Sequence, residues 1–402
     1  LAAIHVAERV RRIKPSPSTA AAERADQLRR AGRSIVNLTV GEPDFDTPEP
    51  IRRAAAKAME AGATRYTALA GTIELRRAIA RKLARDHGLE FAPDQIVVTN
   101  GAKSAIFAAF AATLEPGDEV LIPAPYWVSY PDAVLACDGV PVALTCPEEA
   151  GFELRPEQLE AAIGPKTRWL VLNSPANPTG ATYDLAAWRG LARVLARHPQ
   201  VSILTDDIYE HIHFAGGIAP HLLEAAPELR DRTLAVNGVS KTYAMTGWRI
   251  GWAAGPRELV SAIATLLSQS AGNACSVSQA AAVEALTGDQ SFIERWLAIY
   301  RERRDRTLEG LARIPGLSCR SPEGAFYLFV SCAGLIGART AAGKTLESDR
   351  DVVLWLLEEA GVAVVAGEAY GLSPYFRLSI ATALETLDEG VRRIARAVAT
   401  LR

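Results

Sequence analysis

The stretch IVVTNGAKSAIFAAFAATLEPGDEVLIP, residues 96–123, decides the fold class. Ile96–Thr99 is a β-branched run of strand length. Asn100-Gly101 breaks it, and Ala102–Leu114 then runs without glycine or proline, as a helix requires. Glu115-Pro116-Gly117-Asp118 stops that helix, and Glu119–Pro123 is the next apolar run. The same rhythm continues downstream. Trp169–Leu172 reads as a strand, Ser174–Gly180 as a loop and Asp184–Ala196 as a helix, with further strands at Val201–Thr205, Leu234–Asn237 and Ile250–Ala254. Strands alternating with helices predict an α/β protein with a mainly parallel sheet covered on both faces.

After Gly288 the pattern changes. Ser291–Ile314 reads as one long helix. Gly324–Val330, Val362–Val365 and Phe376–Ala381 read as strands, and Asp349–Ala360 and Leu384–Ala399 as helices. The expected organisation is a large α/β domain at 48–290 and a smaller α+β domain assembled from 1–47 and 291–402. Acids interleave with bases in Arg301-Glu302-Arg303-Arg304-Asp305-Arg306, which predicts a solvated helix face rather than a basic patch.

Composition bounds the function. The 402 residues are 49% hydrophobic, enough for a sizeable core. The net charge of −2, from 44 basic and 46 acidic residues, argues against a charge-driven nucleic-acid binder. Apolar stretches such as Ala105–Ala112 fall short of the ~18–20 residues of a membrane span. Leu1–Lys14 has scattered charges and no apolar core, so no secretory signal and a cytoplasmic protein are expected. Cys137, Cys146, Cys275, Cys319 and Cys332 are odd in number and contain no C-x-x-C pair, which predicts reduced thiols. His211 and His213 form an H-x-H pair, but no Cys or carboxylate constellation of zincin type accompanies it in the sequence, so no metal is expected.

Four constellations carry chemistry. Val239-Ser240-Lys241-Thr242-Tyr243-Ala244-Met245-Thr246-Gly247-Trp248-Arg249 follows the strand Leu234–Asn237. A lysine at a strand end is placed for partial desolvation, which lowers its pKa and makes its amine nucleophilic, as Schiff-base chemistry needs. Arg249 is in reach of a phosphate. Taken alone, the pair also fits a surface lysine and a salt-bridged arginine. Asn173-Ser174-Pro175-Ala176-Asn177-Pro178-Thr179-Gly180 is either a rigid loop or an amide offered at the carboxyl end of a parallel strand, where ligands of open α/β sheets sit. Thr205-Asp206-Asp207-Ile208-Tyr209 offers a carboxylate for a buried cation, or a helix N-cap. Asn100-Gly101-Ala102-Lys103-Ser104 opens a helix, whose free N–H groups favour anions.

Their order on successive strand ends resembles the fold type I, class I aminotransferases that use pyridoxal 5′-phosphate (PLP). The resemblance spans nearly the whole chain. It includes Lys14-Pro15-Ser16, Gly41-Glu42-Pro43-Asp44-Phe45-Asp46-Thr47-Pro48, Tyr66-Thr67, Pro125-Tyr126-Trp127-Val128-Ser129-Tyr130, Glu323-Gly324-Ala325-Phe326-Tyr327 and Phe376-Arg377-Leu378-Ser379. Within the class it is most similar to bacterial enzymes described as bifunctional aspartate/prephenate aminotransferases.

The resemblance implies PLP on a Schiff base to Lys241, which also moves the substrate proton. It implies Asp206 at the pyridine nitrogen, Tyr209 and Asn177 at the phenolic oxygen, and Trp127 stacked on the ring. The phosphate would be held by Arg249 and by the backbone of Gly101, Ala102 and Lys103. Tyr66 would reach it from the other subunit of a homodimer. Arg377 would bind the substrate α-carboxylate, with Asn177, Trp127 and Gly41 beside it. In the branch resembled, lysines at the positions of Lys103 and Lys14 would grip a distal carboxylate; the arginine that other aspartate enzymes use for it has no match in Gln269–Ser278. The implied reaction exchanges aspartate and 2-oxoglutarate for oxaloacetate and glutamate, with prephenate as a further acceptor. The alternative is an aminotransferase of the same fold for aromatic or other neutral amino acids. Two positions depart from the family pattern: Gly101-Ala102-Lys103-Ser104 stands where Gly-Gly-Lys-Gln is frequent, and Gly238 where a serine is frequent.

Overall fold

The computed structural model describes residues 4–15 and 17–402. Ser16 of the Lys14-Pro15-Ser16 motif lies outside the described residues. The strands are β1 (Val36–Asn37), β2 (Ile96–Thr99), β3 (Glu119–Ala124), β4 (Val140–Thr145), β5 (Thr167–Asn173), β6 (Ser202–Asp206), β7 (Thr233–Gly238), β8 (Gly251–Ala254), β9 (Tyr327–Ser331), β10 (Val362–Ala363), β11 (Val365–Ala366) and β12 (Tyr375–Ser379).

Seven of them form one sheet in the order β2-β8-β7-β6-β5-β3-β4. Neighbours run parallel except around β8, which is antiparallel to both β2 and β7. Successive residues of each strand enter different apolar clusters. Ile96, Val98, Leu121, Leu170, Leu172 and Ile203 face one cluster. Val97, Val120, Ile122, Trp169, Val171 and Leu204 face the other. Strands buried on both faces read as continuous apolar runs, which is why they were legible in the sequence.

Two further sheets sit beside it. Strand β1 pairs in parallel with β10, and β11-β12-β9 is an antiparallel sheet. Val36 and Leu38 share an apolar cluster with Leu328, Val330, Phe376, Leu378, Leu387 and Ile394. The early segment thus packs with the last third of the chain.

The structure corrects several expectations. The edge strand β4 was not read. Val362–Val365 is not one strand: Val362–Ala363 pairs with β1, and Val365–Ala366 pairs with β12. The helix expected over Asp349–Ala360 is α-helical to Trp355 and closes in a π-turn at Leu356–Ala360. The charged run is solvated at Glu302, Asp305 and Arg306, but Arg303 is buried. It falls on the stripe of Leu297, Tyr300 and Thr307, which faces inward, and it meets Asp44 through two 2.8 Å hydrogen bonds. No helix of the described residues is long and apolar enough to cross a membrane. The five cysteines are unpaired.

Candidate active site

A cleft of about 590 Å³ opens at the carboxyl ends of the parallel strands. It collects Asn173 and Asn177 after β5, Asp206 and Tyr209 after β6, Lys241 after β7, and Ala102, Lys103 and Trp127 after β2 and β3. Arg249 joins them from the opposite direction. Because β8 is antiparallel, its amino end lies level with the carboxyl ends of its neighbours, with Gly251 opposite both Thr99 and Gly238. Gly41 and Arg377 complete the lining from the other side. Among the predicted residues, Gly101, Lys14 and Tyr66 do not line the cleft. Gly101 sits directly behind Arg249. Lys14 is exposed, its backbone N–H donating to Asp132 Oδ1 at 3.2 Å. Tyr66 stands out from the surface, 97% exposed.

Gly101 has φ +88°, and a Cβ there would collide with the guanidinium of Arg249. The missing side chain is what lets Arg249 lie across the amino end of the helix Ala102–Thr113. Gly238 is constrained differently. A Cβ would come within 2.9 Å of the Ile250 carbonyl oxygen, so the serine frequent in related chains has no room here without a backbone shift.

Lys241 Nζ donates to the Gly41 carbonyl at 2.5 Å. Burial pushes its pKa down to about 8, with Arg377 and Arg249 adding to this against Glu42 and Asp206. The amine therefore gives up its proton far more readily than an ordinary lysine. Asp206 is 4% exposed and accepts from Tyr130 Oη at 2.7 Å and from the Ile208 N–H at 3.3 Å. Burial raises its carboxyl to about 6, with Asp207 adding to the rise and the Tyr130 bond opposing it. A buried carboxylate that meets only neutral donors is a seat for a cation. Tyr209 and Tyr327 share a hydrogen bond of 2.9 Å between their hydroxyls.

The cations are as unbalanced as the carboxylate. Arg377, on β12, is 2% exposed and stacked against Tyr327 and Tyr370, with ring centroids at 4.3 and 5.2 Å. It donates to Asn177 Oδ1 at 3.0 Å and to the Thr39 carbonyl at 2.8 Å, while its Nε meets no acceptor. Arg249 donates only to the carbonyls of Thr246 at 2.8 Å and Asn100 at 3.3 Å. Lys103 Nζ lies 4.8 Å from the Trp127 ring centroid, and burial together with the nearby Arg249 lowers its pKa. Among the described residues none of these three cations has a carboxylate within 4 Å. Such a cleft is built to receive anions.

The sequence reading missed the supporting residues: Tyr130 under Asp206, Tyr327 under Tyr209, and Glu42 with Thr246. Glu42 accepts from Thr246 Oγ1 at 2.7 Å and so ties the strand-like segment carrying Gly41 to the loop of Arg249. Tyr130 lies three residues beyond Trp127, in the helix Ser129–Ala136, which the sequence reading did not identify.

The family described as aminotransferase class I and II matches residues 33–394. The chain belongs to this family. This aminotransferase is 52% identical over 376 residues to an aspartate aminotransferase of Rhizobium meliloti strain 1021, covering 93% of this chain and 91% of that protein. It is 51% identical over 383 residues to the aspartate/prephenate aminotransferase of Cereibacter sphaeroides, covering 95% and 96%. The crystal structure of a Rhizobium meliloti aspartate aminotransferase matches with TM-score 0.97 at 50% identity over the full length of both chains. That of Thermus thermophilus aspartate aminotransferase with maleate matches with TM-score 0.91 at 41% identity, covering 98% and 100%.

Proposed function

We propose that this aminotransferase uses PLP and transfers the amino group of aspartate to 2-oxoglutarate, with prephenate as a further acceptor. The observation that carries the reading is the charge pattern of the cleft: one buried carboxylate without a cation and three cations without a carboxylate, around one depressed lysine. Each unmatched charge fits one part of a phosphorylated pyridine cofactor and a dicarboxylic substrate. The names of the relatives, and the dicarboxylate maleate in the Thermus thermophilus structure, support the substrate class.

PLP supplies an aldehyde that condenses with amines and a protonated ring that accepts the electron pair left at the substrate α-carbon. Asp206 would hold the ring-nitrogen proton, and Tyr209 and Asn177 the phenolic oxygen. Arg249 and the free N–H groups of Ala102 and Lys103, with Gly101 behind them, would hold the phosphate. Trp127 would cover the ring. Lys241 would carry the cofactor, and its amine would take the substrate's α-proton at Nζ. Arg377 binds the α-carboxylate through its planar fork, which holds a carboxylate at two points. Gly41 contributes its carbonyl to Lys241 and, lacking a Cβ, would let its segment approach the substrate. Lys103 takes the distal carboxylate; Lys14, the second lysine that the resemblance implies for it, does not line the cleft.

Two structural readings belong with this function. The chain divides into a large body at 48–290 and a small body of 1–47 and 291–402, with the cleft between them. Two copies associate, so that the exposed Tyr66 of one reaches the phosphate site of the other. The test is a half-reaction screen. The loaded protein is mixed with single amino acids and the cofactor's visible absorbance is followed. Aspartate and glutamate are expected to bleach it at the lowest concentrations. A preference for phenylalanine or leucine over both would sink the dicarboxylate reading.

A further inference from the structure

Behind the cleft lies a carboxylate that the mechanism does not use. Asp207 follows Asp206 at the end of β6, is 8% exposed, and does not line the cleft. Its Oδ2 accepts from Thr205 Oγ1 at 2.9 Å and lies 3.3 Å from His221 Nε2. The tautomer of His221 follows from its other nitrogen. Nδ1 accepts from the Leu223 N–H at 3.0 Å, so the neutral ring carries its proton on Nε2, facing Thr205 and Asp207. Both partners of Asp207 are therefore donors, and neither needs to bring a charge.

The surrounding charges leave Asp207 uncompensated. The ring of His87 lies 5.5 Å from that of His221, but His87 is itself bonded to Glu210 at 2.7 Å and Glu224 at 2.5 Å. Lys82 is taken by Glu210 and by Asp86, and Arg85 by Asp86. His211 Nε2 faces Asp86 at 3.2 Å. The cations of that network are thus matched within it by Asp86, Glu210 and Glu224, and in a buried setting an unmatched charge acts over several ångströms.

We propose that Asp207, fixed by Thr205 and His221, is a positioning residue for the reaction: it adds a second negative charge behind Asp206 and so strengthens that carboxylate's hold on a protonated ring nitrogen. The proposal rests on the assignment of Asp206 to the cofactor nitrogen made above. It explains why two consecutive acids end β6 with only one of them facing the cleft. It also gives Thr205 and His221, both buried, a reason to spend their hydrogen bonds there. The upward shift of the Asp206 carboxyl, to which Asp207 contributes, agrees with it.

The test uses holoenzyme loaded with PLP carrying 15N at the ring nitrogen. The 15N resonance separates pyridinium from neutral pyridine, and its midpoint is followed with pH. Asp207→Asn is expected to lower the proton affinity of the bound ring about tenfold, a shift of roughly one pH unit. Asp207→Glu, which keeps the charge, is expected to return most of it. If Asp206→Asn lowers the midpoint strongly while Asp207→Asn leaves it unchanged, the role of Asp207 is overturned and that of Asp206 stands. If Asp206→Asn leaves the midpoint unchanged, the reading beneath the proposal has failed. Should Asp207→Asn not load cofactor, Asp207→Ser and Asp207→Thr take its place, and the same shift is required of whichever loads. If none of the three folds, Asp207 is a structural residue and the proposal falls.

Discussion

Two ionic clusters flank the segment Asp206–His211, and they obey opposite rules. In the cluster behind it the charges of Lys82, Asp86, His87, Glu210 and Glu224 answer one another. Lys82 meets Asp86 at 2.9 Å and also Glu210, His87 lies between Glu210 and Glu224, and Asn237 Nδ2 donates to Glu210 Oε1 at 2.7 Å. In the cleft in front, Arg249, Arg377 and Lys103 bond only carbonyls, an amide oxygen or a ring face. Burying charge costs free energy, in the rear cluster and, in front, at Arg377 and Asp206. The rear cluster offsets that cost within the chain and fixes the helix Ile73–His87 against the segment after β6. The front cluster leaves it open for anions that arrive later. Matched charges therefore mark architecture here, and unmatched ones mark binding.

The largest effect expected to test this contrast is on Lys241. On the proposed reading Lys241→Ala removes the cofactor tether and the proton carrier together, and transamination should fall by roughly 10⁴-fold or more. Activity at the native rate with added PLP would end the assignment. Stability of the apoprotein should not fall, because a buried, depressed lysine is itself unfavourable in the fold.

Next comes a matched pair of substitutions, one from each cluster. Lys82→Met strips the cation shared by Asp86 and Glu210 and should cost about 3–5 kcal/mol in urea unfolding, the range seen when one partner of a buried ion pair is removed. Arg377→Met should leave apoprotein stability unchanged within about 1 kcal/mol or raise it, while kcat/KM falls roughly 100-fold or more from lost charge-assisted bonds to substrate. Equal destabilisation by the two substitutions would erase the distinction between the clusters.

A pH dependence sharpens it further. Burial opposes protonation of His87, but its bonds to Glu210 and Glu224 prevail and carry it up to about 9. A folded-state pKa above the unfolded one gives stability that is complete below about pH 6.5 and is lost as pH rises through about 9, on the order of 2–3 kcal/mol. Lys241, depressed to about 8, acts in the opposite sense above that pH, since its neutral form is the one the fold prefers. The comparison is therefore made between the wild-type chain and His87→Gln. The difference in unfolding free energy should shrink between pH 6.5 and 9, and a constant difference would mean that His87 is not protonated in the fold.

The front cluster was largely legible in the sequence and the rear one was not, for a physical reason. Lys241, Asp206, Tyr209 and Asn177 each follow an apolar strand, and a parallel sheet brings all such ends to one edge. Short local stretches were enough to place them. Arg377 sits within a buried strand and was placed only through resemblance to a family. The rear cluster joins Lys82, Asp86 and His87 to Glu210, His211 and Glu224, which are more than a hundred residues away. Lys82 reads no differently from the exposed Arg81 beside it. The H-x-H pair has Glu210 beside it in the sequence without forming a zincin-type set; folding adds Asp86 to Glu210 and His211 and places the Lys82 ammonium between the two carboxylates. Strand β4 was hidden because it is an edge strand with Pro141 and is only half buried, so it lacks the continuous apolar run of its neighbours. Arg303 was misjudged because charge alternation says nothing about which helix face turns inward.

The smallest expected effect probes the outer limit of the front cluster. Lys103 lies at its rim, exposed at its surface yet with a lowered pKa, and is held only by the face of Trp127. If it reads the distal carboxylate, Lys103→Ser should raise KM for aspartate and glutamate about tenfold, the equivalent of ~1.4 kcal/mol, which suits a partly solvated ion pair. Turnover at saturation should change little, because the distal carboxylate takes no part in the chemistry at the α-carbon. Amino acids without a second carboxylate should keep their KM, or improve on it once a cation no longer faces their side chain. A uniform rise of KM for all substrates would instead place Lys103 with the phosphate, the role proposed for its backbone N–H, and would move the distal carboxylate to another cation.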